Sequence, residues 1–437
     1  MIAAFKKITD SGFVRNVATV ATGTAAAQAI TLAFAPVITR LYGPEAFGLQ
    51  GLFASLLGLC ATLAALGYPT AIVLPRRQQD AVGIAKLSIF IATAFAVLVA
   101  ILLAVLGDRL LNLLNAQALG PLVYLLPVAM VFSAMSAVLS QWLIRNRAYG
   151  ITARFQVVTA LLMGLAKSGV GLITPGAAAL VITNVLGGLM GTLLTFWGWL
   201  RWRTADKKVT MSSPSKSMVA LAGEYRDFPL FRTPQNFINA VSQSLPVILL
   251  TAYFGAASAG QYSIALSLLG VPAALIGGSV MSVFYPRVTE AVHNHENVRG
   301  LIIKATLGMM AAGCLPYLLV MAFGPLLLPV IFGDQWSESG RYAQWLAPWL
   351  FLQFANRPAV AAIPSLGLQK GLLVYELFST GSKVVALWVG FVLYESAIVS
   401  VALFSLAGIA AYVWLILWVI HSSPKDAGEN EKGVIGQ

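Results

Sequence analysis

Charge is scarce in this chain. Only 10% of its 437 residues are Asp, Glu, Lys or Arg, against about 25% in an ordinary soluble domain. A large soluble core does not account for the deficit, because the hydrophobic residues, 58% of the chain, fall in runs too long for one. About 20 apolar residues cross a bilayer as a helix, and roughly a dozen runs reach that length. Cysteine is nearly missing: Cys60 and Cys314 lie inside apolar runs, where they read as small core residues rather than a disulfide framework. His293, His295 and His421 have no further ligands near them in sequence, which argues against a metal centre. Phosphate-binding glycine loops, a nucleophile elbow and an HExxH motif are all absent. No catalytic residue, metal or cofactor is therefore expected, and an enzyme is not the expected class.

The long apolar runs describe a polytopic, all-α membrane protein. Helices satisfy every backbone group within each segment, and the runs are too long and unbroken for barrel strands. The expected spans are 17–38, 47–70, 84–106, 119–143, 155–174, 177–200, 234–254, 261–284, 303–323, 342–366, 371–393 and 396–420. Twelve spans put both termini on one side. That side carries 22 of the 28 Lys and Arg residues, the opposite side 3. The positive-inside rule makes the richer side cytoplasmic. The net charge of +12 is then mostly topological, and no nucleic-acid partner is expected. Lys6, Lys7 and Arg15 precede an apolar run that continues to Ile38, which reads as an uncleaved first helix.

The stretch 201–233 is the longest polar one and falls at the midpoint. It divides the chain into an N-lobe of six helices (1–200), a cytoplasmic linker (201–233), a C-lobe of six helices (234–420) and a polar tail (421–437). The longest outward loop is expected at about 324–341. The two halves share a repeat. TRLYGPEAFGLQGLFASLLG at 39–58 and TAYFGAASAGQYSIALSLLG at 251–270 are identical at seven of twenty positions at one offset of 212, including Gly43/Gly255 and Gly48/Gly260. Leu74-Pro75-Arg76 is echoed by Tyr285-Pro286-Arg287. Six spans per half make this repeat parallel, the arrangement of a two-lobed transporter with a cavity between lobes.

The run TRLYGPEAFG resembles the signature of polysaccharide transporters in the multidrug/oligosaccharidyl-lipid/polysaccharide flippase superfamily. So do FRTPQNFINAVSQSLPVILLTAYFGAASAGQYSIALSLLGVPAALIGGSVMSVFYPRV and IFGDQWSESGRYAQWLAPWLFLQF. The resemblance implies alternating access in the bacterial cytoplasmic membrane, and an undecaprenyl-diphosphate-linked oligosaccharide repeat unit as substrate, for O-antigen or exopolysaccharide synthesis. Membrane lipids and the polysaccharide polymerase machinery are the further partners it implies.

Such a substrate needs cations for the diphosphate and amides or hydroxyls for the sugars. Lys167 lies about 18 Å into the fifth span and Lys383 at similar depth in the eleventh. Arg357 sits past the middle of the tenth. Ionisable groups at that depth face a wet cavity or a partner; for Lys383 the alternative is pairing with Glu376. Asn236, Asn239 and Gln243 form a stripe on the seventh helix, and Gln353, Asn356 and Arg357 another on the tenth. Amides suit sugar hydroxyls, but they also bond helix to helix in membranes. Arg40 closes the first helix, either meeting the head group late or anchoring the helix end. Glu376, the one acid clearly inside a span, is the coupling-ion candidate. Eight prolines, Pro36, Pro127, Pro246, Pro272, Pro316, Pro348, Pro358 and Pro364, interrupt apolar runs as hinge candidates. Gly187 and Gly191 form a GxxxG packing match. Two other classes compete. A multidrug/cation antiporter would favour buried acids over the buried bases found here. A membrane polymerase or glycosyltransferase would carry acids or a sizeable outward loop.

Overall fold

A computed structural model describes residues 12–205 and 216–424, with side chains at 12–18, 20–21, 203–205 and 276–283 not described. Lys6 and Lys7, the middle of the expected linker and the tail beyond 424 lie outside the described residues.

Among the described residues each expected span is helical. The first six are α1 (Gly12–Leu41), α2 (Pro44–Ala64, followed by the short turn Tyr68–Ala71), α3 (Gln78–Leu113), α4 (Leu126–Arg145), α5 (Tyr149–Ile173) and α6 (Ala177–Ala205). The seventh is α7 (Thr233–Phe254). The eighth is broken into α8 (Ala256–Leu269) and α9 (Val271–His293). Then come α10 (Val298–Phe332), α11 (Ser337–Ala355, continued by Arg357–Ala362), α12 (Gln369–Tyr394) and α13 (Ala397–His421). Among the described residues ten spans are long and apolar enough by themselves to cross a membrane; the eighth and tenth are the two interrupted ones. The helices are apolar on the outside as well as the inside. On α3, Ala92, Ala96, Val99 and Leu103 face the core while Val105 stays 73% exposed, as Val330 on α10 stays 74% exposed. Side chains of that kind on both faces belong in lipid.

Several expectations shift in detail. The outward loop expected at 324–341 is mostly helix: α10 runs through Pro325 and Pro329 to Phe332, since a freed carbonyl is tolerated in long membrane helices. The expected linker contains the short helix Met218–Glu224, capped by Ser217, whose side chain accepts from the Ala220 amide. Of the eight hinge prolines, Pro36, Pro246, Pro316 and Pro348 lie inside helices. Pro127, Pro272 and Pro358 instead start helices, where the missing N–H costs nothing. Cys60 is half-buried and packs against the hydrophobic core of the first unit, as expected, whereas Cys314 is exposed and is not a core residue.

The chain forms two units, 1–260 and 261–437. The seventh helix belongs to the first unit because Ser244, Val247, Leu250 and Thr251 are buried on its face toward α2, where the Ser244 hydroxyl donates to the Ser55 carbonyl at 3.3 Å. The repeated glycines explain the start of α8. A Cβ on Gly48 would lie 1.7 Å from the Ala256 carbonyl oxygen, and one on Gly260 would lie 1.9 Å from that of Pro44. The offset of 212 relates both glycines and both carbonyls, so the repeat meets its own counterpart where two backbones touch. Gly255, at φ +84, makes the turn from α7 into α8. In the second unit, Gln261 and Ser339 are buried and mutually satisfied. The Ser339 amide donates to Gln261 Oε1 at 2.9 Å, its hydroxyl to the Gln261 carbonyl at 2.9 Å, and Gln261 Nε2 to the Gln335 carbonyl at 2.7 Å.

Candidate functional site

A cleft of about 710 Å³ opens within the first unit, lined by α1, α2, α4, α5 and α6. Close packing of α5 places its one charged contributor. Gly164 leaves room for the Phe34 ring, where a Cβ would come within 2.4 Å, and Gly171 for Tyr42, within 2.7 Å. Tyr42 is fully buried and donates its hydroxyl to the Lys167 carbonyl at 2.9 Å. This bond fixes the turn of α5 that aims Lys167 at the cleft. Lys167 is half-buried and lines the cleft. Its ammonium has no ion-pair or hydrogen-bond partner among the described residues. Among the described residues no Asp or Glu lines the cleft. A cation at mid-helix costs roughly 2.5–3.5 kcal/mol to insert, and such groups face a wet cavity or a partner; Lys167 faces the cleft.

The lining also holds polar groups that sequence reasoning passed over. Ser133, Ser136 and Ser140 recur at i, i+3 and i+7 on α4 and line the cleft with Asn184 of α6. None of the three serine hydroxyls bonds to its own helix, the usual refuge of a membrane serine. The signal was present: it is the same spacing that singles out the seventh helix. Gly187 and Gly191, the GxxxG match, pack α6 on α5 against Met163 and Thr159, and Gly187 lines the cleft.

The other sequence candidates lie elsewhere. Asn236, Asn239 and Gln243 are exposed along α7, on the side that Val247 and Leu250 continue one to three turns later, and make no hydrogen bond among the described residues. Arg40 is exposed in the last turn of α1 and does not line the cleft. The tenth-span group belongs to the second unit. Gln353 Nε2 donates to the Tyr412 hydroxyl at 2.9 Å, which ties α11 to α13. Asn356 is buried at the break after α11, and its Oδ1 and Arg357 Nε lack hydrogen-bond partners. Lys383 is only 7% exposed, with its ammonium 5.8 Å from the Trp349 ring centre and 5.9 Å from that of Phe404. Glu376, two turns earlier, has a buried Oε2 without a hydrogen-bond partner. The two lysines expected to be counterparts thus have unlike surroundings: one faces a hydroxyl-lined cleft, the other is enclosed by aromatic rings. Among the described residues no group of His, Cys, Asp and Glu could hold a metal ion.

Residues 37–341 match the family model described as polysaccharide biosynthesis protein. The succinoglycan biosynthesis transport protein ExoT of Rhizobium meliloti (strain 1021) is 23% identical over 338 residues, covering 72% of this chain. The match spans 61% of that relative's length. Among solved structures, an inward-facing multidrug resistance MATE family transporter of the MOP superfamily superposes with a TM-score of 0.72 at 16% identity, over 90% of this chain and 93% of its own. The lipid II flippase MurJ in an inward closed conformation gives 0.68 at 12% identity, over 92% and 87%. The fold is shared with both.

Proposed function

The chain belongs to the polysaccharide biosynthesis protein family, and from that membership and the Lys167 cleft we propose a flippase for lipid-linked sugars. It moves undecaprenyl-diphosphate-linked oligosaccharide repeat units from the inner to the outer leaflet of the bacterial cytoplasmic membrane by alternating access. The termini are cytoplasmic, and six-helix lobes flank the 201–233 linker. The observation that carries this reading is the unpaired Lys167 ammonium in a cleft without carboxylates. A diphosphate brings the missing negative charge, and a charge-assisted contact with it is worth roughly 1.5–3 kcal/mol. An inside-negative potential favours outward movement of each negative charge by about 2.3 kcal/mol per 100 mV. The same lining disfavours a cation extruder, which needs carboxylates where this cleft has an ammonium. The test is the cellular pool of lipid-linked sugar. Deletion is expected to strand complete repeat units on the cytoplasmic leaflet. Incomplete units would indicate a glycosyltransferase instead, and an unchanged pool would exclude both.

A further inference from the structure

The Lys167 cleft continues into a second section of about 410 Å³, and the two share Thr31, Ser136, Ser140 and Thr159. The second section extends toward the end of the bundle that carries Thr24, Thr152 and Thr195. Along α5 the groove runs from Thr152 to Lys167, about 22 Å at 1.5 Å per residue. We infer that this section is the sugar subsite, built for uncharged, polyhydroxylated rings, while Lys167 holds the phosphate end. The inference rests on the flippase reading and adds where each part of the substrate sits.

Two matching stripes build the wall. Thr24, Gln28 and Thr31 recur at i, i+4 and i+7 on α1, and Thr152, Gln156 and Thr159 do so on α5. The Thr24 hydroxyl and Gln156 Oε1 bridge them at 3.2 Å. The remaining polar groups divide into acceptors and donors. Thr31, Thr192 and Thr195 donate their hydroxyl hydrogens to carbonyls of their own helices at 2.9, 2.8 and 2.7 Å, which leaves oxygen lone pairs as acceptors. Gln28, Ser136 and Ser140 have no partner among the described residues, and Thr159 Oγ1 is buried without one; these keep free donors. A sugar hydroxyl both gives and takes a hydrogen bond, so it needs both kinds of group. Among the described residues no Asp, Glu, Lys, Arg or His lines this section, which suits neutral rings and leaves charge recognition to Lys167. Free polar groups in a spanning helix are costly unless water or a polar ligand meets them.

The test compares two lipids on the purified full chain in nanodiscs: undecaprenyl diphosphate, and the same lipid bearing a neutral hexose disaccharide. The wild type is expected to bind the glycosylated lipid about tenfold more tightly. Gln28→Leu with Gln156→Leu should abolish that preference and leave the affinity for the sugar-free lipid. Lys167→Ala should weaken both lipids alike and keep the preference. A wild type without preference, or a double variant that retains it, overturns the sugar subsite. A wild type that binds neither lipid overturns the flippase reading as well. A second measurement does not depend on the double variant folding. In a Cys60→Ser, Cys314→Ser background, Thr152→Cys should react with a water-soluble thiol reagent, and the glycosylated lipid alone should protect it. Labelling that neither lipid blocks would make the section a water-filled vestibule and contradict the proposal.

Discussion

At the scale of single residues, the two mid-helix lysines separate two kinds of cost. The Lys167 ammonium has no partner among the described residues, so its removal relieves the membrane insertion penalty and breaks no ion pair or hydrogen bond. Lys167→Ala is expected to reach the membrane at normal levels and to cut surface polysaccharide about tenfold or more, from loss of one charge-assisted contact. Lys167→Arg should retain more export than alanine; quantified surface polysaccharide at matched expression checks both. Lys383 is enclosed by Trp349 and Phe404, and its long stem fills that space. Lys383→Ala should therefore lower the thermal midpoint in detergent by an amount Lys167→Ala does not. Equal midpoints for the two variants would remove the structural distinction. Lys167 was legible in the sequence because a cation deep in an apolar run is expensive and needs a reason. The hydroxyls beside it were not. A single serine or threonine in a membrane helix is ordinary, because it can bond to its own backbone. Only the convergence of α1, α4, α5 and α6 gives Ser136 or Thr159 a shared direction, and convergence is a tertiary fact.

At the scale of elements, the repeated glycines make opposite predictions. Gly48 and Gly260 stand where a Cβ meets a carbonyl oxygen at 1.7 and 1.9 Å, and backbone cannot yield as a side-chain tip can. Gly48→Ala and Gly260→Ala should each separate α2 from α8 and reduce folded protein in fluorescence-detected size exclusion. Gly58 belongs to the same repeat, yet its Cβ position meets only the Ser244 hydroxyl at 4.0 Å. Gly58→Ala should be neutral or stabilising by about 0.5–1 kcal/mol, as in any helix interior. A pH effect belongs to this scale too. At the end of α9, the Arg287 guanidinium donates to the Glu296 carboxylate and holds it below the usual carboxylate range. A depressed carboxylate contributes stability above its unfolded pKa and loses it as pH falls through the folded value. Acidification through that range should loosen the 294–296 turn, and Glu296→Gln should remove this part of the acid sensitivity of thermal unfolding. The helical spans were readable from run length alone. The breaks at Gly270 and Asn356 were not, because the residues around them remain apolar and only the backbone shows where one helix stops.

At the scale of the whole molecule, the basic residues predict a topology. Reporter fusions within 205–220 and after Gln437 should be active only in the cytoplasm, and one near Asp334 should report outside. An external 205–220 segment would remove both the charge argument and the two-lobe division. The polar midpoint was legible, while the packing of α7 on α2, which carries the first unit on to Gly260, was not, since sequence distance says nothing about which helix a seventh span will meet. On the proposed reading this chain carries an anionic lipid-linked sugar through the cleft at Lys167. The most direct measurement is transbilayer movement in proteoliposomes that contain the purified chain and undecaprenyl-diphosphate-linked disaccharide, with the outward-facing pool read by a membrane-impermeant glycosidase. The account predicts that the wild type exposes the inner-leaflet pool to the enzyme, and that Lys167→Ala slows this about tenfold or more. A wild-type rate no faster than protein-free liposomes, or a Lys167→Ala rate equal to the wild type, would contradict it.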